Sequence, residues 1–125
     1  MRSFRIMQVY SFEELVIWQE ARVIVDRVYL LLKNNRDYDF KSQISRAAIS
    51  IMNNIAEGFE RNKNSADNKQ FKNFLNISYG SCGEVRSMIY LAQDLKYMND
   101  CDAEALRADC YSLSCKITAF MQTLR

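Results

Sequence analysis

The stretch 40–61 decides the fold of this chain, and it consists of FKSQISRAAISIMNNIAEGFER. At the 100° per residue of an α-helix, its large apolar side chains fall on one face. These residues are Phe40, Ile44, Ala47, Ile51, Ile55 and Phe59. A half-buried strand would alternate apolar and polar residues at every second position, and this stretch does not. The pattern therefore predicts an amphipathic helix of about six turns that buries one face against other helices.

Three further segments of the chain carry the same helical period. We expect them to span roughly 11–33, 65–98 and 99–125. Ser11 and Glu14 have the spacing of a capping box, in which each side chain binds the other residue's backbone amide, so the first helix should begin at Ser11. Gly58 lies near the end of the second helix, where we expect it to act as a helix breaker.

The composition agrees with long helices and short connections. The 125 residues are 49% hydrophobic and 26% charged, and they contain no proline and only three glycines. A β-sandwich or barrel needs turn residues every ~8–12 positions, so this composition argues against one. We predict an all-α fold, an antiparallel up-and-down four-helix bundle, as a single domain over residues 1–125. Residues 1–10 should form an extended N-terminal arm.

The sequence offers little chemistry for catalysis or metal binding. It contains no histidine, which is the commonest general base and metal ligand, and no glycine-rich phosphate loop. Its four cysteines form no CxxC pair, so we expect reduced residues that fill the core. We therefore predict no enzymatic activity, no cofactor and no metal.

The location of the protein is predicted from its apolar runs. The longest, such as 28–32, fall far short of the ~18 residues that a membrane span needs. Residues 1–10 contain two arginines but no apolar run of signal-peptide length. We expect a cytoplasmic protein without membrane contact.

The first predicted helix carries more apolar residues than one core-facing stripe requires. Two extra series recur every seven residues, namely Val16, Val23 and Leu30, and Ile17, Ile24 and Leu31. The outer helix of a monomer would not show these additional apolar sectors. We expect them to form an oligomer interface. The alternative is a helix that lies deep in the centre of its own bundle.

The second helix carries a polar stripe beside its apolar face. Its members are Gln43, Arg46, Ser50, Asn54, Glu57 and Arg61. One hypothesis is a polar groove that includes Gln43, in which Arg46 and Arg61 hold a phosphate while Asn54 and Glu57 position the ligand. The structural alternative is a boundary stripe in which Glu57 pairs with Arg61 at i,i+4.

The connection between the second and third helices is the most basic part of the chain. From 61 to 72, only Asp67 opposes Arg61, Lys63, Lys69 and Lys72, in a chain whose net charge is +2. Together with Arg46, these four are our candidate nucleic-acid contacts, because clustered cations bind phosphate backbones. The alternative is a solvated loop without a binding role.

Small residues also share one face of the third helix. Asn76, Gly80 and Gly83 follow helical spacing, and interior glycines cost about 1 kcal/mol each relative to alanine. They would let another helix approach closely, either in the same bundle or in another subunit.

Three segments of the chain together carry a family resemblance. They are FEELVIWQ at 12–19, QISRAAISIMNNIAEGF at 43–59 and FLNISYGS at 74–81. In this order and spacing, they resemble the four-helix-bundle proteins encoded in intervening sequences of 23S ribosomal RNA genes, which are also called ribosomal-protein-like. The chain departs from the family pattern at Met52, where proline is usual, and at Ser45, where arginine is usual. Without the proline, the second helix should be straighter.

The resemblance implies a bundle that assembles as a ring, commonly a pentamer. It also implies a fold similar to the accessory protein of diversity-generating retroelements, which binds a reverse transcriptase and nucleic acid. We therefore expect a non-enzymatic oligomer that serves as a nucleic-acid or ribonucleoprotein accessory and binds the phosphate backbone. The alternative is a structural or protein-interaction adaptor without nucleic-acid affinity.

Overall fold

A computed structural model of the chain describes residues 9–124 and confirms the all-α fold. A short 3-10 turn, Phe12–Glu14, precedes four α-helices. These helices are α1 (Val16–Leu31), α2 (Tyr38–Asn62), α3 (Lys69–Asp94) and α4 (Asp100–Thr123). The described residues contain no strand. Most of the predicted N-terminal arm over 1–10 lies outside the described residues.

The order of the helices in space follows their order in the chain. Each helix packs against the next one, and α4 closes the bundle by packing against α1. Short connections make neighbouring helices antiparallel, which gives the up-and-down arrangement. The pairing of α2 with α3 is the most extensive, and the pairing of α1 with α4 is the sparsest.

One continuous apolar core fills the space between the helices, and the face that decided the fold prediction lies in it. Phe40, Ile44, Ala47, Ile51 and Ile55 are all buried, while Phe59 is half-buried against the same core. α2 is unbroken through Met52, as the absence of proline predicts. Asp37 caps this helix by accepting the amide of Phe40 at 3.2 Å.

The predicted start of the first helix is wrong by five residues. Ser11 precedes the 3-10 turn without a side-chain cap bond, and the backbone is extended at Leu15 before α1 begins at Val16. The kink lets Leu15 enter the core and places the Phe12 ring edge-to-face with Trp18 at 5.1 Å. Apolar burial therefore outweighs the capping box at this end.

Both predicted ends of the third helix are also corrected. Ser65 and Asp67 bind each other inside the connection, and Asp67 accepts the Lys69 amide at 3.0 Å, so α3 begins later than predicted. At the other end, Lys96 adopts φ 63°, and the Tyr97 amide donates to the Ala92 carbonyl at 2.7 Å. This Schellman motif ends α3 four residues before Met98.

Gly58 is a packing residue, which corrects its predicted role as a helix breaker. It is buried inside α2, four residues before the helix ends. A Cβ built on it would lie 2.7 Å from the Cβ of Phe74 and 3.0 Å from Cδ1 of Phe71. Only glycine permits α2 and α3 to approach this closely.

Candidate interaction surfaces

The outer side of α1 carries an apolar stripe that the bundle leaves uncovered. Val16, Val23 and Leu30 are 56%, 54% and 69% exposed. They lie two turns apart, so their side chains line one side of the helix over ~21 Å. We call these three residues the α1 stripe.

The second predicted series on this helix belongs to the core. Ile17 and Ile24 are only 5% and 2% exposed, and Leu31 is half-buried against the core. A residue one position along a helix lies 100° away, which turns these side chains towards α2 and α4. The chain itself covers them, so we leave them out of the candidate interface.

Two ion pairs and a shallow groove lie along the seam between α1 and α4. Arg27 pairs with Asp109, and Lys116 donates to Glu20 at 2.6 Å, with all four side chains partly open to solvent. Between these pairs lies a groove of about 280 Å³ whose walls include Val23. The α1 stripe therefore adjoins a seam that is only loosely filled.

The central part of the predicted polar stripe of α2 lies along the seam with α3, where internal hydrogen bonds occupy it. Asn54 donates to the Ser50 carbonyl at 2.9 Å and to Ser50 Oγ at 3.0 Å. Ser81 of α3 donates to Ser50 Oγ at 2.9 Å, and Ser78 donates to the Ile51 carbonyl at 2.8 Å. This part of the stripe joins two helices.

The remaining members of the stripe face solvent. Gln43 is exposed near the start of α2, and Glu57 binds Arg61 with oxygen–nitrogen distances of 2.8 and 3.0 Å. The i,i+4 pair is the structural alternative that the sequence left open. Arg61 also lies over the Phe74 ring, 5.5 Å from its centroid.

The basic connection carries less free charge than its sequence indicates. Lys63 pairs with Glu60 at 3.3 Å, just as Arg61 pairs with Glu57. Over 57–72, four basic residues therefore face three acidic ones. Lys69 is exposed and Lys72 is half-buried, and neither forms an ion pair with another residue in the described part of the chain.

Arg46 lies apart from the other four candidate cations. It lies fifteen positions before Arg61 in α2, which corresponds to ~22 Å along the helix axis. It lines an outer groove of about 300 Å³ between α1 and α2, together with Tyr29 and Tyr38. Arg61, Lys63, Lys69 and Lys72 gather at one end of the bundle, so the five predicted contacts form two separate surfaces.

A seam of tyrosine and arginine between α3 and α4 was not predicted from the sequence. Arg86 lies 5.1 Å from the centroid of the Tyr111 ring, and Arg107 lies 4.1 Å from that of Tyr90. Arg107 also donates to Gln93 Oε1 at 2.6 Å. The signal was available, because residues 79, 83, 86, 90 and 93 share one side of α3 at helical spacing.

The cysteines divide into two classes, which corrects the prediction that all four fill the core. Cys82 and Cys110 are buried, whereas Cys101 and Cys115 are exposed. Burial raises the pKa of both Cys82 and Cys110 to about 12. A thiol with such a pKa stays protonated at neutral pH and is a poor nucleophile.

Two structural features are absent from residues 9–124. No group of three or more metal-ligating side chains comes together there. None of their helices is long and apolar enough to cross a membrane.

Comparison with known proteins adds family and fold. The family model described as 23S rRNA-intervening sequence protein matches residues 13–119. A crystal structure of a protein with unknown function from the S23 ribosomal protein family of Bacteroides thetaiotaomicron VPI-5482 superposes with a TM-score of 0.74. That chain is 20% identical, and the match covers 84% of this chain and 97% of that chain, which supports the fold. No curated protein matches the sequence.

Proposed function

The chain belongs to the family of 23S rRNA-intervening sequence proteins, and from this membership and its surfaces we propose that it is a non-enzymatic, oligomeric ribonucleoprotein accessory. In this proposal, copies of the chain associate through the α1 stripe into a closed ring, a pentamer as the family resemblance implies. The ring, in the cytoplasm, presents weak phosphate-binding sites to nucleic acid.

The observation that carries the proposal is the exposure of the α1 stripe. Its three residues are each more than half exposed, although hydrophobic side chains of this size gain free energy by leaving water. They form one continuous line beside a loosely filled seam. A second copy that covers this line would bury it, and a head-to-tail contact whose rotation closes on itself generates a ring.

Support for phosphate binding comes from the cations that lack an acidic partner among residues 9–124. Arg46, Lys69 and Lys72 retain their full charge for an external anion. Each copy alone supplies few such contacts, so binding should be weak per subunit and strongly salt-dependent. A ring would add the contacts of its copies and raise the overall affinity.

The second candidate function is a protein-interaction adaptor without nucleic-acid affinity. The pairing of Arg61 with Glu57 and of Lys63 with Glu60 favours it, because it removes two of the five predicted phosphate contacts. The tyrosine–arginine seam of α3 and α4 favours it too, since these residue types are enriched where proteins bind each other tightly.

Fluorescence anisotropy with a labelled RNA hairpin and a labelled DNA duplex, at low and high salt, separates the two candidates. The accessory function predicts binding to both at low salt, with a steep loss of affinity as salt rises. The double variant Lys69→Ala with Lys72→Ala should weaken binding equally for both probes and flatten the salt dependence. Its matched control is Lys33→Ala with Arg36→Ala, which removes the same charge at the opposite end of the bundle.

The outcomes decide between the candidates directly. No binding by the wild-type protein at low salt would exclude the accessory function and favour the adaptor. An equal loss of affinity in both double variants would show a general charge effect and remove Lys69 and Lys72 from the proposed site.

A further inference from the structure

A groove of about 370 Å³ lies in the tyrosine–arginine seam, and we call it the seam groove. Tyr79, Gly83 and Arg86 line it from α3, and Tyr111 lines it from α4. The two tyrosines are 48% and 56% exposed, although aromatic rings gain free energy when they leave water. The groove therefore presents open aromatic surface to a molecule from outside.

Arg86 supplies a cation to the seam groove without an acidic partner of its own. It is half-buried, and its guanidinium carbon lies 5.1 Å from the centroid of the Tyr111 ring. It forms no ion pair with a residue among 9–124, whereas Arg27 and Arg61 both bind carboxylates. A guanidinium carries five N–H donors in a planar fork, so Arg86 can bind an anion that enters the groove.

No carboxylate competes for Arg86 inside the groove. The lining residues among 9–124 include neither aspartate nor glutamate. Glu84, the closest acidic residue along α3, lies two positions before Arg86 and therefore on the opposite side of the helix. Asp109, the closest one to Tyr111 along α4, pairs with Arg27 of α1. The groove therefore favours an anionic group over a cationic one.

Gly83 leaves the backbone of α3 open in the middle of the groove. A Cβ built on it would meet no other atom within 4 Å. Tyr79, Gly83 and Arg86 follow one side of the helix at i, i+4 and i+7. The Tyr79 ring has neither an aromatic nor a cationic contact within the described part of the chain. A flat ring from outside can therefore pack on Tyr79 beside Arg86.

We propose that the seam groove binds one unpaired nucleotide of a single-stranded nucleic acid, with its phosphate on Arg86 and its base stacked on Tyr79. A nucleotide joins one anionic group to one flat ring, which matches the lone guanidinium and the uncovered phenol. An acidic protein segment would pair with Arg86 but would leave the Tyr79 ring exposed.

The inference rests on the accessory function proposed above and adds a preference for unpaired bases. The bases of a duplex are already stacked on each other, so they cannot reach Tyr79. The contacts at Lys69 and Lys72 involve phosphates alone and do not distinguish paired from unpaired strands. A selective loss of single-strand binding is therefore the signature of the seam groove.

Fluorescence anisotropy at low salt tests the proposal with a labelled thymidine strand, an abasic strand of the same length and a DNA duplex. The two strands carry the same phosphates, but the abasic strand has no bases. We expect the thymidine strand to bind about tenfold more tightly than the abasic strand, which is the effect of one stacked base. Equal affinities for the two strands, with binding to the duplex retained, would overturn the seam groove and leave the accessory function intact. Absence of binding to all three probes would refute both.

Three variants with a matched control locate the binding. Tyr79→Ala should weaken binding of the thymidine strand about tenfold and leave binding of the abasic strand unchanged. Gly83→Leu should also weaken binding of the thymidine strand about tenfold, because the new side chain fills the groove. Gly80→Leu is its control, since a Cβ there also meets nothing within 4 Å and Gly80 does not line the groove, so it should bind like the wild type. Arg86→Gln should weaken both strands by the same factor, because both carry phosphates.

Two further results would contradict the proposal. Equal losses of affinity in Gly83→Leu and Gly80→Leu would place the binding elsewhere on the chain. Polyglutamate that binds as tightly as the thymidine strand, with the same loss in Gly83→Leu, would assign the groove to an acidic protein segment instead.

Discussion

The α2–α3 seam and the α1–α4 seam of the same bundle are built on opposite principles. Between α2 and α3, Gly58 removes a side chain where the helices meet, and Ser78 and Ser81 hydrogen-bond across the interface. Between α1 and α4, partly exposed ion pairs bridge a shallow groove, and a larger groove opens at the end. One seam is closed to any other molecule, and the other leaves surface and volume available.

The difference between the two seams indicates which side of the bundle can contact other molecules. A closely packed seam gains stability from its own side chains and cannot take up a partner without losing that packing. The loosely packed seam adjoins the α1 stripe, the end groove and several basic side chains. We infer that the α2–α3 seam holds the scaffold together, while the side of α1 next to α4 offers the subunit interface.

The largest expected effect comes from closing the space at Gly58. Gly58→Ala should lower the free energy of unfolding by about 1–3 kcal/mol, because the new Cβ meets the Phe74 Cβ at 2.7 Å. Gly80→Ala is the matched control, since its Cβ would meet nothing within 4 Å, and it should stabilise the chain by ~0.5–1 kcal/mol. Urea denaturation checks both values. Equal effects of the two substitutions would mean that the seam is not tightly packed.

A smaller effect should follow from a buried hydroxyl of the same seam. Ser78→Ala removes the 2.8 Å bond to the Ile51 carbonyl and should cost about 1 kcal/mol. Ser87→Ala, at an exposed position of α3, should leave the unfolding midpoint unchanged. A Ser78→Ala variant as stable as the wild type would remove hydrogen bonding from the explanation of this seam.

The ion pairs of the α1–α4 seam should contribute less to the free energy of unfolding than the contacts of the α2–α3 seam. A double-mutant cycle of Arg27→Ala and Asp109→Ala should give a coupling of about 0.2–1 kcal/mol, because both side chains are partly exposed. Salt should reduce this coupling further. A salt-insensitive coupling above this range would show that the α1–α4 seam is as well formed as its counterpart.

The smallest effect concerns a bond at the end of the bundle away from the groove, between Tyr97 and Asp37. Tyr97 donates to Asp37 Oδ2 at 2.6 Å, and this bond, with a second one from the Phe40 amide, lowers the pKa of Asp37. The same bond raises the pKa of Tyr97. The stability that this bond gains from ionised Asp37 is fully present above the pKa that the carboxyl has in the unfolded chain. It is lost as pH falls through the lowered pKa of the folded protein. The stability that this bond gains from the protonated phenol of Tyr97 is fully present below the pKa that the phenol has in the unfolded chain. It is lost as pH rises through the raised pKa of the folded protein.

Tyr97→Phe should therefore lower the melting temperature slightly near neutral pH. The difference from the wild type should shrink in acid and again in strong alkali. Thermal melts followed by circular dichroism across pH check this. A difference that stays constant at both extremes would show that the ionised Asp37 does not matter.

The sequence predicted the fold well because helical periodicity reflects burial directly. The face that begins at Phe40 entered the core as predicted, and α4 begins at Asp100, one residue after the predicted start at 99. The helix starts at Ser11 and Ser65 were wrong because local capping competes with tertiary contacts, such as the burial of Leu15. That competition cannot be judged from spacing alone.

The surfaces were harder to predict because tertiary contacts, which spacing alone does not reveal, decide which side chains are covered. Heptad spacing found Val16, Val23 and Leu30, but it could not tell them from Ile17 and Ile24, which lie 100° further around α1. The cations of the basic connection were predicted to lack acidic partners because the charge count began at Arg61. That count omitted Glu57 and Glu60, which lie about one turn earlier in α2. The end groove depends on where four helix ends meet, and no local pattern contains that information.

The central claim is that α1 carries the subunit interface, and sedimentation equilibrium tests it most directly. At micromolar concentration, the wild-type chain of 14.7 kDa should sediment as a closed oligomer of about five copies. Val23→Asp should shift it to the monomer mass, because a buried unpaired carboxylate is costly, while Ala108→Asp on the exposed side of α4 should leave the oligomer intact. A wild-type chain that sediments as a monomer, or an oligomer unchanged by Val23→Asp, would contradict the account.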